Sequence, residues 1–259
     1  MIIRLFLYIG LVKFKKQIVM KKYKLTDETI NVNGVTLYRI ESLRHFNDVC
    51  KGDKGGFIEN ERNLSKDGDC WVYDNAMVCG NAMVYSDSMV YGNAMVYGNA
   101  MVCGNAMVYG DSRVCDNASV YDNAKVYGNA MVYGNAMVCD NAMVYGNAMV
   151  YGNASVYGNA IAYGDSRVYD NAMVYDDAMV YGKADVCGDA RIESMEDYIV
   201  FKNWWSSGRY FTWTRSNNMW SVGCFYGSGE ELIQKAYKDS EKSGDEYKAV
   251  VEFVESRLN

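Results

Sequence analysis

Along residues 71–193, small and aliphatic positions alternate with polar pairs in a period of six, most often Ala-Met-Val-Tyr-Gly-Asn, without insertion or deletion. Valine recurs from 72 through 78, 84, 90 and 96 to 186; Ala162 is the one small substitution and Ile192 closes the series. Alanine, or serine at 88, 112 and 166, stands two positions before each of these from 76 to 190. In an extended segment side chains alternate faces, so Ala and Val point one way while Met and Tyr point the other. The Gly-Asn, Asp-Asn or Gly-Asp pair that follows tolerates the positive φ of a sharp corner. Each hexapeptide therefore predicts one short strand and one corner. Strands this short bury no core alone; they must stack as coils around a narrow column of Val and Ala.

This pattern resembles the hexapeptide-repeat left-handed parallel β-helix, which places an aliphatic residue, a small or acidic one, two variable positions, a small residue and a variable one. Val72 and Ala76 stand as the aliphatic and small members, and the pair recurs through Val186 and Ala190. The position after the aliphatic residue departs from the family, with Tyr or Cys in place of Gly, Ala, Glu or Asp. The resemblance implies triangular coils of about 18 residues, about seven of them, in a prism ~30 Å long at the ~4.8 Å strand spacing.

With that coil, three outer faces can be written down. One carries Tyr73, Tyr91, Tyr109, Tyr127, Tyr145, Tyr163 and Tyr181 in an unbroken column, beside Trp71, Met89, Met107, Lys125, Met143, Ile161 and Met179. The others mix tyrosine with Cys79, Cys115 and Cys187, or with Cys103 and Cys139. So apolar an outer face is expected to meet a protein partner or a second copy of the chain. Tyrosines that merely support one another along a ladder would give the same pattern. Gly-Asp-Ser-Arg-Val at 110–114 returns at 164–168, a shift of three coils, so the repeat expanded in whole turns.

The ends differ. Glu28 to Val32 and Val35 to Ile40 flank Asn33-Gly34 and predict a β-hairpin cap within residues 20–70, with 41–70 a linker and irregular first coil. Residues 194–259 predict a small α+β domain. Its three strands are Tyr198–Trp204, Arg209–Arg215 and Met219–Phe225; one helix follows, capped by Ser228 with Glu231, and another capped by Asp245. The hairpin, solenoid and Trp220-to-Phe225 tail together look like uncharacterised phage and prophage proteins of gut bacteria, a resemblance that implies no activity.

Half of the 259 residues are apolar, which excludes disorder, and a net charge of −6 has the wrong sign for gripping nucleic acid. Met1 to Val12 is apolar, followed by Lys13, Lys15 and Lys16, too short to span a bilayer and unlike a secretory signal. Met20 then reads as the start, with 1–19 an upstream extension or weak interfacial helix, and the expected address is cytoplasmic with no membrane partner.

Many β-helices of this family are acyltransferases with a histidine general base, yet the one histidine, His45, lies outside the coils and no loop interrupts them. The eight cysteines lack Cys-x-x-Cys spacing and read as reduced tyrosine substitutes, and the corner aspartates as turn residues, so no metal or cofactor is expected. A nucleotide would suit Arg209, Thr212, Trp213, Thr214, Arg215 and Trp220, near Trp204 and Trp205, which combine cations, hydroxyls and stacking surfaces. Tryptophans packed on the two helices would explain the same residues. Three function classes follow: a non-enzymatic scaffold that self-associates or docks a protein, a phage-type binder of a nucleotide immune signal, and an acyltransferase.

Overall fold

The computed structural model describes residues 21–204 and 206–258, so the expected extension at 1–19 and Trp205 lie outside it. Strands β1 (Tyr23–Val32) and β2 (Val35–Ser42) form the hairpin, turning through Asn33 and Gly34 at φ 52° and 86°. Strand β3 (Lys54–Ile58) pairs antiparallel with β2 and then parallel with Met77–Val78. The hairpin thereby extends one wall of the solenoid.

Residues 71–192 form twenty-one two-residue strands, β4 (Trp71–Val72) to β24 (Arg191–Ile192). They make three parallel walls: two sheets of seven strands, and a third of ten that includes β1, β2 and β3. Neighbours in a wall are 18 residues apart, as Met107 against Lys125 shows, which gives seven regular coils. β3 and a bridge from Leu64 to Val84 add an irregular coil at the N-terminal end. The parallel β-solenoid with a small C-terminal α+β unit is the fold expected.

Each strand is too short for internal bonding, so its backbone is satisfied by the next coil. Met107, Tyr109 and Asp111 donate their N–H groups to Ala124, Val126 and Gly128 at 2.9, 2.9 and 2.8 Å. The inward Val and Ala are completely buried throughout. At the corners positive φ is obligatory: Gly110 sits at 75°, and a Cβ there would lie 3.0 Å from Gly128 N. Where aspartate takes the corner and glycine follows one coil later, the carboxylate accepts that glycine's N–H. Asp74, Asp116, Asp140 and Asp170 do so from Gly92, Gly134, Gly158 and Gly188. These aspartates thus tie coils together as well as turning the chain. Asp122 and Asp140 also occupy one corner in successive coils, both at positive φ.

The N-terminal opening is sealed by side chains. Trp71, expected on the open tyrosine face, is buried against the rings of Tyr23 and Phe46. Tyr23 donates to the Leu64 carbonyl at 2.7 Å, and buried Lys22 donates to the Cys70 carbonyl at 2.6 Å, with the Phe46 ring 4.7 Å away. Burial lowers the Lys22 pKa, because the charged ammonium loses its hydration.

The C-terminal unit has four strands where three were expected: β25 (Tyr198–Lys202), β26 (Tyr210–Thr214), β27 (Met219–Val222) and β28 (Phe225–Gly227). The difference arises at Gly223, whose φ of 64° turns the predicted third strand back on itself. Helix α1 (Gly229–Asp239) carries the Ser228–Glu231 capping box. Helix α2 (Glu241–Glu255) starts at Ser240, whose Oγ accepts from Ser243 N at 3.1 Å; Asp245 instead lies within the helix and accepts from Tyr237 Oη. Among the described residues no helix is long and apolar enough to cross a membrane.

Candidate functional site

Five successive ring pairs, from Tyr91 to Tyr181, are stacked with centroids 4.8, 4.7, 4.8, 5.1 and 5.4 Å apart. The spacing is that of the strands: each ring stands outward from the same position of successive coils, so coil stacking becomes ring stacking. Edge-on rings close the stack at both ends, Tyr73 at 84° to Tyr91 and Tyr198 at 81° to Tyr181. Tyr73 is further held by a 2.7 Å bond to Asp48, and Tyr198 by a 3.0 Å bond to the Met179 carbonyl. The structure thus aligns all seven predicted tyrosines; Tyr91 to Tyr181 form a half-buried, flat row, while Tyr73, equally half-buried, turns edge-on and bonds to Asp48 of the N-terminal loop.

Beside the row runs Met89, Met107, Lys125, Met143, Ile161 and Met179, paired strand to strand. The other walls are less uniform, interrupted by Arg113, Arg167 and Asp185, or by Ser119, Ser155 and Arg191. Burial raises the phenol pKa of Tyr91, Tyr109 and Tyr127, because the charged phenolate would lose hydration there. On a second wall the Cys115 thiol and burial push Tyr97 up to about 12.

The six C-terminal candidates do not converge. Trp213 and Trp220 are buried, packed with Phe211 among Leu232, Ala236, Tyr247, Val251 and Val254 from the helices. Trp213 Nε1 donates to Asn218 at 2.9 Å. Thr212 and Thr214 are buried on the opposite face of β26, Thr214 donating to Asn217 and Thr212 accepting the Asp185 N–H at 2.9 Å. Only Arg209 and Arg215 are exposed. The expected nucleotide set is therefore divided between a core, a docking seam and the surface.

That seam caps the solenoid. Asp185 and Arg191 belong to the last coil, whose N–H groups have no further coil to meet. Thr212 Oγ1 accepts the first and Ser216 Oγ the second, at 2.9 and 2.7 Å. Tyr226 leans over the corner at Gly188, where a Cβ would lie 1.9 Å from its hydroxyl. Covering a raw strand edge in this way prevents end-to-end sheet growth. His45 is exposed outside the coils, its Nδ1 accepting the Lys51 N–H at 3.4 Å.

The repeat family described as "YdcK Beta solenoid repeat" matches residues 90–104, 100–116, 124–140, 136–152, 142–164 and 166–182. The chain is a repeat β-helix protein. A protein of Escherichia coli (strain K12) named "Uncharacterized acetyltransferase YdcK" is 39% identical over 70 residues, covering 24% of this chain and 22% of that protein. The chain thus spans about a fifth of that relative's length.

Sequence reasoning missed one feature of the repeat β-helix. The corner asparagines, read as turn residues, also form amide ladders along its axis. Asn81, Asn99, Asn117, Asn135 and Asn153 each donate Nδ2 to Oδ1 of the residue one coil on, at 2.9–3.1 Å, and Asn171 ends the run on Asp189. A second ladder ends Asn159 on Asp177. A terminal acceptor needs no amide donor, which suits aspartate there. The signal was the constant spacing of Asn, visible once the coil length is known.

Proposed function

We propose that the chain is a non-enzymatic β-solenoid scaffold that self-associates through its stacked tyrosine face. The supporting observation is the parallel row from Tyr91 to Tyr163, spaced 4.7–5.1 Å and flanked by methionine. A surface with a strict axial repeat fits best against another surface with the same repeat. A second copy supplies one by construction, whichever way it runs. Tyrosine and methionine favour such contacts because they bury large area with few polar groups to desolvate. Light scattering of the purified chain tests this: a dimer or higher mass that falls on dilution is expected, and a monomer throughout contradicts it.

A second reading, acyl transfer, is favoured by the name of the Escherichia coli relative. The shared stretch covers only 22% of that relative, the only described histidine is exposed outside the coils, and the regular strands follow one another without an extruded loop. Acyl-CoA turnover abolished by His45→Ala would establish that reading, and no turnover would remove it. A phage or prophage origin, implied by the overall resemblance, is compatible with the scaffold role and adds no chemistry to it.

A further inference from the structure

The two copies of Gly-Asp-Ser-Arg-Val provide an internal comparison. One coil beyond the first stand Asn129 and Met131; one coil beyond the second stand Lys183 and Asp185. Arg113 accordingly pairs across the wall with Met131, while Arg167 pairs with Asp185 and holds its carboxylate through Nε and Nη2 at 2.6 and 2.5 Å. The changed pair sits where the last coil meets the C-terminal sheet, since the Asp185 N–H is taken by Thr212. Docking accounts for Asp185, and Asp185 for Arg167. It does not account for Lys183.

Lys183 occupies an asparagine-ladder position, one coil beyond Asp165, yet forms no ion pair with it. Asp165 instead accepts from Asn147 Nδ2 at 2.9 Å, and Lys183 Nζ lies 5.3 Å from the Tyr210 ring centre. Arg209, exposed on the same side, also forms no ion pair among the described residues. Lys183, Arg209 and Tyr210 line one groove of about 470 Å³ with Asn147 and Met149. Arg167 and Asp185 cancel within it. Two cations then face Asp165, whose carboxylate already accepts from Asn147, in a chain whose net charge is −6.

We propose that this junction groove binds a small oxyanion of the phosphoryl type through the Lys183 ammonium and the Arg209 guanidinium. Lysine offers a point charge and arginine a planar fork, a pairing suited to phosphoryl oxygens. With Arg167 and Asp185 paired, Lys183 and Arg209 outweigh the one remaining carboxylate, Asp165, so the groove keeps a net positive charge, and it forms only where the solenoid meets the C-terminal sheet. This site is independent of the tyrosine face.

Isothermal titration of the full chain with pyrophosphate, at fixed ionic strength set with chloride, tests it. One saturable site is expected. Lys183→Asn, which restores the residue of the neighbouring repeats and so leaves the coil intact, and Arg209→Gln should each weaken binding about tenfold or more. Arg215→Gln, an exposed cation outside the groove, should leave it unchanged. Absence of saturable binding by the unmodified chain overturns the proposal. So does equal binding by Lys183→Asn, which would mark a diffuse counterion effect.

Discussion

Tyr109 and Tyr127, one coil apart, stack with ring centroids 4.7 Å apart and planes within 2° of parallel. Their phenols are partly withdrawn from water, so burial raises both pKa values, and on a neighbouring wall burial pushes Tyr151 up to about 12. In the unfolded chain these phenols lose their protons near 10. The folded state therefore retains protons that the unfolded state has released, and stability falls as pH rises through that interval. Thermal melts should be unaffected by these groups below pH ~10 and should drop between pH ~10 and ~12. Tyrosinate absorbance should rise above the pH at which free tyrosine titrates; coincidence with free tyrosine would contradict a half-buried stack.

Ala162 is completely buried between Val144 and Val180 in its wall. Ala162→Val should fill the column and raise stability by about 1 kcal/mol, whereas Val144→Ala should cost about 2 kcal/mol. Chemical denaturation of the two variants decides this, and destabilisation by Ala162→Val would mean the column narrows there.

Two buried serines in the alanine column should respond oppositely to alanine. Ser88 Oγ donates to the Tyr85 and Val102 carbonyls at 2.8 and 3.0 Å, while Ser166 Oγ has no partner among the described residues. Ser166→Ala should stabilise by about 1 kcal/mol and Ser88→Ala should not, since only the former removes an unsatisfied polar group. Their denaturation midpoints should move apart.

The strand-and-corner repeat was legible because each Val and Ala must be interior for the coils to close, so burial is written at every sixth residue. The tyrosine column followed once the coil length was set. What lay beyond reach came from places where the period stops. Trp71 has the spacing of an outward residue but meets Tyr23 and Phe46, contacts that repeat logic does not contain. Thr212 alternates as a surface hydroxyl would, yet lies against the last coil because that coil has open N–H groups. Lys183 and Asp185 gain a setting only at the junction, which brings Arg209 and Tyr210 alongside them.

Thr212→Val removes the acceptor for the Asp185 N–H and leaves that donor buried. A loss of about 1–3 kcal/mol is expected, concentrated at the seam. Hydrogen exchange should show early opening of the last coil and β26 while central coils stay protected. Uniform loosening of all coils would contradict the capping role.

The asparagine ladders should contribute more modestly. Asn141 accepts from Asn123 and donates to Asn159, both at 3.1 Å and both exposed. Asn141→Ala should lower stability by about 1 kcal/mol in denaturant titration; no change would show that water replaces both bonds.

Sedimentation velocity of three proteins tests the scaffold reading most directly: the unmodified chain, Tyr109→Lys with Tyr145→Lys on the stacked face, and Tyr133→Lys with Tyr151→Lys on a neighbouring wall. Self-association through the Tyr91–Tyr181 row predicts an oligomer for the first and third and a monomer for the second, all three folded by circular dichroism. A folded second variant that sediments like the unmodified chain would contradict it.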